Sequence, residues 1–157
     1  MMETAYLQTP IGTAVLEGDA DGLSSIRVLD ENVPEGIVPE VLEDAVYQLR
    51  EYFEGKRKEF DLKLNPSGSE FQKKVWDALL EIPYGRTLSY LELSKRLGNV
   101  KAIRAVASAN GRNPIWLVIP CHRIIGSNGD LIGYSAGLDR KKWLLEHESP
   151  SKQTRLF

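Results

Sequence analysis

The sequence is poor in residues that form cross-links or bind metals. It contains one cysteine, Cys121, and two histidines, His122 and His147, among 157 residues. One cysteine cannot form an internal disulfide, and the chain has too few Cys and His ligands for a structural zinc site. The amino terminus lacks the basic start and apolar stretch of a secretory signal, and no apolar run approaches the length of a membrane-spanning helix. We therefore expect a metal-free protein of the reducing cytoplasm.

Composition and charge indicate a globular protein with two lobes. A hydrophobic content of 42% and a charged content of 27% are ordinary for such chains. The net charge of -2 conceals an asymmetry: residues 1–62 carry 14 acidic and 5 basic side chains, whereas residues 63–157 carry 8 acidic and 15 basic ones. This asymmetry indicates a basic C-terminal lobe that binds a polyanion such as nucleic acid. The alternative is that the two lobes simply attract each other.

The N-terminal lobe has the pattern of a small antiparallel sheet followed by a helix. Alternating runs at residues 6–8, 13–16 and 23–29 are separated by turn signals. Apolar residues recur at helical spacing from 38 to 53, and a further strand is expected near 60–64. This lobe contains neither histidine nor cysteine, so we expect no catalytic site in it.

A break of linker composition at residues 65–69 separates the lobes. It predicts an N-terminal domain at 1–64, a second domain at 65–148 and a flexible tail at 149–157. The second domain is expected to be mainly helical, with helices at 70–81, 89–97, 100–109 and 138–147. The last helix is expected to present these residues to the core: Leu138, Trp143, Leu144 and Leu145.

Two short helices in the second domain have the shape of a helix-turn-helix. Ser89 and Glu92 form a capping box that opens the first helix, and Gly98-Asn99 joins it to the second. The second member of such a pair would face DNA, although a plain packing hairpin has the same pattern. Alanines and Ser108 on the second helix let its backbone lie close to a groove, and Arg104 is the long cation on that surface.

The stretch 115–123, Ile-Trp-Leu-Val-Ile-Pro-Cys-His-Arg, is the candidate active site. Its apolar residues lead into Pro120, so a buried strand is expected to end there in a rigid turn. Chemistry often occurs at such a point, but a lone cysteine with apolar neighbours is more often an inert core residue. Farther on, a turn is expected at 126–129, and glycines around Tyr134 and Ser135 indicate a backbone that closely approaches a ligand.

The run 119–123, Ile-Pro-Cys-His-Arg, followed by Gly129 and by Gly-Tyr-Ser-Ala-Gly-Leu at 133–138, resembles the active-site signature of the O6-alkylguanine-DNA alkyltransferases. The similarity extends through residues 104–106, 113–114 and 142–148 and covers most of 70–148. The resemblance implies an α/β fold. It comprises a small N-terminal ribonuclease-H-like antiparallel sheet with a helix, then a mainly helical C-terminal domain with a winged-helix-like helix-turn-helix.

The resemblance also implies DNA repair by direct, single-turnover transfer of the alkyl group from O6-alkylguanine in double-stranded DNA to Cys121, without a cofactor. A thiol with a pKa of about 8.5 is mostly protonated at neutral pH and needs a base. His122 would be that base, acting through a bridging water, and Glu148 would orient its imidazole. The alternative for Glu148 is a solvated residue at a helix end. Tyr90 would turn the phosphate and protonate the departing guanine.

A base pocket and a DNA surface are implied as well. Flipping the base out of the duplex exposes its O6 atom, and Arg104 would fill the gap in the stack. The pocket residues implied are Asn113, which braces the cysteine turn, Ile124, Tyr134, Ser135 and Ala136. The residues implied to bind the minor groove, with little sequence preference, are Arg104, Tyr90, Ala102, Ala105, Arg112 and Arg123. We expect the protein to be a monomer.

Two residues depart from the family pattern, and two other functions stay open. Trp116 replaces a proline or small apolar residue, so local packing is expected to differ. Ala136 replaces a frequent glycine, and its methyl group is expected to leave less room for bulky alkyl groups. One rival function is a non-catalytic DNA lesion binder, against which Cys121 argues. The other is a cysteine hydrolase that uses Cys121 with His122 or His147 and turns over repeatedly.

Overall fold

The computed structural model describes residues 1–126 and 134–149. It confirms the expected fold class, an antiparallel sheet with helices followed by a mainly helical C-terminal part. The chain forms two compact units. Unit 1 comprises residues 1–67 and 114–118, and unit 2 comprises 68–113 and the described residues from 119 onward. Apart from Gly126 and Ser149, the expected turn at 126–129 and the expected tail lie outside the described residues.

Unit 1 contains the expected antiparallel sheet, with strands β1 (Glu3–Thr9), β2 (Gly12–Asp19) and β3 (Gly22–Leu29) in the order β1-β2-β3. A 3-10 turn, Glu40–Leu42, leads into helix α1 (Glu43–Phe53). The regular helix therefore begins later than residue 38. Val38 precedes Pro39, and a residue before a proline disfavours helical backbone angles. Helix α1 buries Ala45, Val46, Gln48, Leu49 and Tyr52.

Two segments predicted to be strands are single parallel bridges to β3 instead. Leu64 pairs with Leu23, and Ile115 pairs with Ile26. The predicted strand over 115–119 is wrong beyond Ile115. Leu117 has a φ of 76°, and the Val118 N–H bonds the Trp116 carbonyl at 2.9 Å. This i to i+2 bond around a positive φ is a γ-turn, so the run is buried but not extended.

Trp116, which departs from the family pattern, is a core residue of unit 1. Its indole is buried and lies 6.4 Å from the ring of Phe53, centroid to centroid. Its backbone N–H donates to the Ile26 carbonyl at 3.0 Å, next to the bond from Ile26 N–H to the Pro114 carbonyl. Backbone bonds therefore join the segment 114–118 to β3, and the Trp116 side chain packs it against α1.

The described part of unit 2 contains four α-helices and a short parallel strand pair. The elements are α2 (Glu70–Leu79), β4 (Leu88–Ser89), α3 (Tyr90–Arg96), α4 (Ile103–Gly111), β5 (Ile124–Ile125) and α5 (Leu138–Glu148). The predicted capping box at the start of α3 is present, with Ser89 Oγ accepting from the Glu92 N–H and the Glu92 carboxylate accepting from the Ser89 N–H. A second capping box, Ser69 with Gln72, opens α2.

Helix packing in unit 2 follows the predicted apolar faces with some exceptions. Trp76 of α2 is buried, and its indole N–H donates to the Ala109 carbonyl of α4 at 2.9 Å. Gly68 is needed beside it, because an added Cβ would lie 2.5 Å from the Trp76 ring. The prediction for α5 is wrong at Leu138, which is 47% exposed. Helix α5 instead buries Lys141, Leu144 and Glu148, one residue per turn along one face.

Candidate active site

Two consecutive tight turns present Cys121. Pro120 has φ −81° and ψ 63°, and the Cys121 N–H bonds the Ile119 carbonyl at 2.8 Å, which is an inverse γ-turn. The same carbonyl accepts a 2.7 Å hydrogen bond from Asn113 Nδ2. Residues Cys121–Arg123 then form a 3-10 turn. The cysteine is thus buried, 4% exposed, in backbone whose conformation is fixed by proline and by an amide brace.

Two opposing effects set the pKa of the Cys121 thiol. Burial raises its pKa, since it removes water from the thiolate. The polar side chains of Asn113 and Tyr134 and the positive charge of Lys141 act in the opposite direction, although burial prevails. The thiol is therefore protonated at rest and needs a base before it can act as a nucleophile.

His122 and Glu148 form a buried pair next to the thiol. The distance from His122 Nε2 to Glu148 Oε2 is 2.8 Å. Burial opposes ionisation of Glu148, yet its hydrogen bonds with His122 and Arg123 and the charge of Arg123 hold its pKa far below the usual range. Burial lowers the pKa of His122, with Glu148 acting against it. At neutral pH the glutamate is therefore a carboxylate and the imidazole is neutral.

This charge state identifies the basic nitrogen of His122. A carboxylate only accepts hydrogen bonds, so the hydrogen between the two residues is on Nε2. The lone pair is then on Nδ1, which has no hydrogen-bond partner among the described residues. His122 can therefore accept a proton at Nδ1 while Glu148 stabilises the resulting imidazolium, as in a triad.

The position predicted for Arg123 from the sequence is wrong. It was expected on the DNA surface, but it is 7% exposed. Its Nε and Nη2 donate to the two oxygens of Glu148 at 2.8 and 3.0 Å, and its Nη1 donates to the Ile82 carbonyl at 2.6 Å. The guanidinium thus neutralises Glu148 and is not available to a phosphate. Its charge also explains why the carboxylate stays ionised beside a neutral His122.

Tyr90 reaches the cysteine through the β4–β5 pair. Parallel pairing of Leu88 with Ile124 and of Ser89 with Ile125 aligns the first turn of α3 with the cysteine turn. Burial raises the Tyr90 pKa, a hydrogen bond from Asn110 lowers it, and the negative charge of a Cys121 thiolate raises it again. Tyr90 therefore remains a protonated phenol close to the sulfur.

Two residues near the site were missed from the sequence. The predicted helix ends at residue 109, but α4 continues through Gly111 and buries Asn110 beside Tyr90. Lys141 stands in the run Arg140-Lys141-Lys142, which looks like a solvated face. Its position three residues before Leu144 and seven before Glu148 is the signal that indicates the buried face of α5.

The segment 134–137 precedes α5. Tyr134 and Ala136 are half-buried and Ser135 is exposed. Arg140 Nη1 donates to the Ala136 carbonyl at 3.1 Å, which ties the segment to the first turn of the helix. Gly137, with φ 97°, supplies a left-handed backbone angle that side chains rarely adopt at the helix start.

The expected DNA surface lies on α4 and the turn before it. Arg104, Ala105 and Arg112 are exposed, and Ala102 is half-buried. Exposed cations also occur on α3 and on the connecting turn: Lys95, Arg96 and Lys101. Small side chains flanked by cations suit a close approach to a phosphate backbone.

Among the described residues, no group of His, Cys, Asp and Glu could hold a metal ion. None of the helices in the described part of the chain is long and apolar enough to cross a membrane.

The fold and the site define a two-unit α/β protein in which a basic helix pair accompanies a buried cysteine, histidine and glutamate. Residues 2–66 match the family model of the 6-O-methylguanine DNA methyltransferase ribonuclease-like domain, and residues 70–150 match that of the 6-O-methylguanine DNA methyltransferase DNA binding domain. A methylated-DNA--protein-cysteine methyltransferase from Methanosarcina acetivorans is 49% identical over 94% of this chain and 98% of its own length.

Solved structures give the same result. The crystal structure of Mycobacterium tuberculosis O6-methylguanine methyltransferase has a TM-score of 0.84 and 40% identity, with 100% of both chains covered. The Mycobacterium tuberculosis OGT in complex with DNA has a TM-score of 0.82 and 42% identity, covering 97% of this chain and 98% of that chain. The chain therefore belongs to the 6-O-methylguanine DNA methyltransferase family and is a DNA-repair enzyme of the methylated-DNA--protein-cysteine methyltransferase class.

Proposed function

We propose that Cys121 takes the alkyl group directly from O6-alkylguanine in double-stranded DNA, once per protein molecule and without a cofactor. One observation carries the proposal: His122, next to the cysteine, is held by the Glu148 carboxylate at 2.8 Å so that Nδ1 is its basic nitrogen. An inert core cysteine does not require a buried base whose proton-accepting nitrogen has no hydrogen-bond partner in the described part of the chain.

The proposed reaction balances as follows. The thiol proton of Cys121 passes to His122 Nδ1 through a bridging water. The thiolate attacks the alkyl carbon, so that an S–C bond forms while the C–O6 bond breaks and its electron pair remains on the guanine. Tyr90 protonates the departing guanine, and solvent returns the proton on His122 to the Tyr90 phenolate. The raised pKa of Tyr90 supports this role, because the phenol still holds its proton at neutral pH.

The product of this reaction explains a single turnover. S-alkylcysteine is a thioether, which has no acidic proton on sulfur. Its dealkylation would have to expel the cysteine thiolate from a saturated carbon, which is a slow reaction at neutral pH. His122 can activate a thiol but has nothing to remove from the thioether sulfur. We therefore propose that each molecule is consumed by one transfer.

The DNA-bound state is proposed from the surface of α4. Arg104 would enter the base stack where the guanine leaves it, while Ala102, Ala105 and Arg112 lie along the minor groove. The exposure of Arg104, Ala105 and Arg112 supports this placement. The experiment compares Arg104→Ala with Arg112→Ala on alkylated duplex and on the free alkylguanine base. Arg104→Ala is expected to slow transfer from duplex by about tenfold or more, yet leave the free base unaffected.

The flipped base would lie against the cysteine turn. Asn113 braces that turn through the Ile119 carbonyl, and Tyr134 and Ser135 would close over the base. Backbone carbonyls near Cys121 and Ile124 would accept from its exocyclic amine. We place DNA binding and transfer in the domain at 65–148. We also propose a monomer in a reducing compartment such as the cytoplasm, where the thiol stays free.

The rival functions are less well supported. A hydrolase with His147 as base would need that ring directed at Cys121, but it stacks on Trp143 with centroids 4.9 Å apart. A lesion binder without chemistry would not require the buried base beside the thiol.

The deciding experiment offers methylated duplex in a tenfold excess over the protein. Our proposal predicts that transfer stops at one methyl group per molecule. A hydrolase that ignores DNA, like a lesion binder, would leave the duplex methylated. Either that result or transfer of more than one methyl group per molecule would contradict the proposal.

A further inference from the structure

Tyr84, in the loop between α2 and β4, bonds the end of the helix that carries Glu148. Its hydroxyl donates to the His147 carbonyl at 3.2 Å. His147 is the penultimate residue of α5, and the carbonyls of a helix's last turn have no partner within the helix. The preceding carbonyl, that of Glu146, accepts from the Ser149 N–H at 3.2 Å. Tyr84 therefore anchors the end of α5 one residue before the carboxylate of the site.

The same loop contacts the cation that pairs with Glu148. The guanidinium carbon of Arg123 lies over the Tyr84 ring, 5.9 Å from its centroid, which is within the range of a cation–π contact. Two residues earlier, the Ile82 carbonyl accepts from Arg123 Nη1 at 2.6 Å. The loop thus holds both members of the ion pair, the arginine by its side chain and the glutamate by the end of its helix.

Both charges of the pair act on the Tyr84 phenol. Burial raises the pKa of Tyr84, the Glu148 carboxylate raises it further, and the Arg123 guanidinium lowers it. The hydroxyl therefore stays protonated at neutral pH and remains a donor to the His147 carbonyl. The ring also keeps water from one side of the guanidinium, and charges interact more strongly where water is excluded.

The position of Glu148 makes such an anchor necessary. Glu148 is the last residue of α5, and helix ends fray. Its carboxylate supports His122 only while it stays at the 2.8 Å distance from Nε2. A frayed last turn would move the carboxylate away from the imidazole and leave the buried base without its partner.

We propose that Tyr84 is a positioning residue for the base of the site. Its hydroxyl holds the end of α5 so that Glu148 stays against His122, and its ring covers Arg123. The inference deepens the proposed alkyl transfer and rests on it for its functional meaning.

The test follows the Nε2–H of His122 by NMR, in protein without DNA. This hydrogen is bonded to the Glu148 carboxylate, so it exchanges with water when the pair opens. The sequence has two histidines, and the His147→Gln variant assigns their signals. Tyr84→Phe keeps the ring and removes the hydroxyl. It is expected to speed the exchange about tenfold, the effect of one lost hydrogen bond on an opening equilibrium.

Tyr84→Leu separates the part played by the ring. This variant lacks both the hydroxyl and the aromatic face, so water reaches Arg123 as well. The His122 hydrogen should therefore exchange faster than in Tyr84→Phe. Equal rates in the two variants would overturn the role assigned to the ring.

Tyr6→Phe is the matched control, because Tyr6 is a half-buried tyrosine on β1 of unit 1. The His122 exchange rate should not change in this variant. The backbone N–H of Ala109, a buried residue of α4, reports on the stability of unit 2 as a whole. In Tyr84→Phe its exchange should rise less than that of His122. An unchanged His122 rate, or an equal rise at both positions, overturns the inference.

Single-turnover methyl transfer connects the inference to the proposed function. Tyr84→Phe should transfer about threefold or more slowly than Tyr6→Phe. Its acid limb should move to lower pH, because the Glu148 carboxylate then raises the pKa of His122 less. Faster exchange with an unchanged rate and acid limb would overturn the positioning role. If the unmodified protein transfers no methyl group, the proposed function fails, whereas a selective exchange effect would still show that Tyr84 holds the pair.

Discussion

Arg123 and Glu148 form a two-pronged ion pair inside unit 2, with N–O distances of 2.8 and 3.0 Å. The same carboxylate accepts from His122 at 2.8 Å. One glutamate at the end of α5 is therefore shared by a permanent cation and by the base next to the cysteine. The arrangement keeps the carboxylate ionised without charging the imidazole, which is what a general base at neutral pH requires.

Removing the positive charge of Arg123 should destabilise the folded protein. Arg123→Met leaves Glu148 buried with a neutral histidine, and breaking a buried pair in this way costs about 3–5 kcal/mol. Urea unfolding measures the loss, and Arg112→Met, at an exposed arginine, is the control with almost no expected effect. A loss below about 1 kcal/mol would show that the pair is not structural.

The same pair predicts how stability depends on pH. The pKa of Glu148 is depressed in the folded state, so its contribution is present above the unfolded value of about 4.3 and is lost as the pH falls below it. Acid unfolding of the unmodified protein should therefore be steeper below that pH than acid unfolding of Glu148→Gln. Identical acid limbs in the two proteins would contradict the depressed pKa.

Glu148→Gln should also weaken the base. The carboxylate raises the pKa of His122, so its removal makes the imidazole less basic and leaves Arg123 without a counter-charge. Single-turnover transfer is expected to fall by about 10²-fold, and its acid limb should move to lower pH. Glu146→Gln, at an exposed acid on the same helix, is the control. A slower rate with an unmoved acid limb would assign Glu148 a purely structural role.

Tyr90→Phe tests the proton donor. The phenyl ring keeps the packing but cannot protonate the leaving guanine, so the transfer rate should fall by about 10²-fold. The high pKa of the phenol predicts that the unmodified protein keeps its rate well into the alkaline range. Tyr47→Phe, at an exposed tyrosine, should transfer normally. Equal rates in the two variants would exclude Tyr90 as the donor.

Ala136→Gly tests the size of the pocket. The Ala136 methyl group is expected to hinder bulky alkyl groups more than methyl, so the glycine variant should gain rate on benzylguanine and not on methylguanine. The ratio of the two rates in each protein is the measurement. Comparable rates in the unmodified protein that do not rise in the variant would rule out this restriction.

The sequence predicts the local structure well where side chains act on their own backbone. The capping box of Ser89 and Glu92 begins α3 as expected, because its bonds join residues three apart. The apolar run 115–119 predicted correctly that these residues are buried, but it did not predict the γ-turn at Leu117. A short apolar run carries no information about its backbone angles.

Charged residues of the site were the least predictable. Arg123 looked like a DNA contact, and Lys141 looked like part of a solvated run. Arg123 is buried against Glu148, which is 25 residues away, and Lys141 lies over the ring of Tyr134, on the segment before α5. Such pairing is a property of the tertiary structure, so a single sequence does not reveal it.

The central claim is that Cys121 itself becomes alkylated. Peptide mass spectrometry after incubation with methylguanine duplex tests it most directly. We expect one added methyl group on the Cys121 peptide, stoichiometric with the protein, formed more slowly in Glu148→Gln and absent in Cys121→Ala. A demethylated duplex with an unmodified Cys121 peptide, or a methyl group on any other residue, would contradict it.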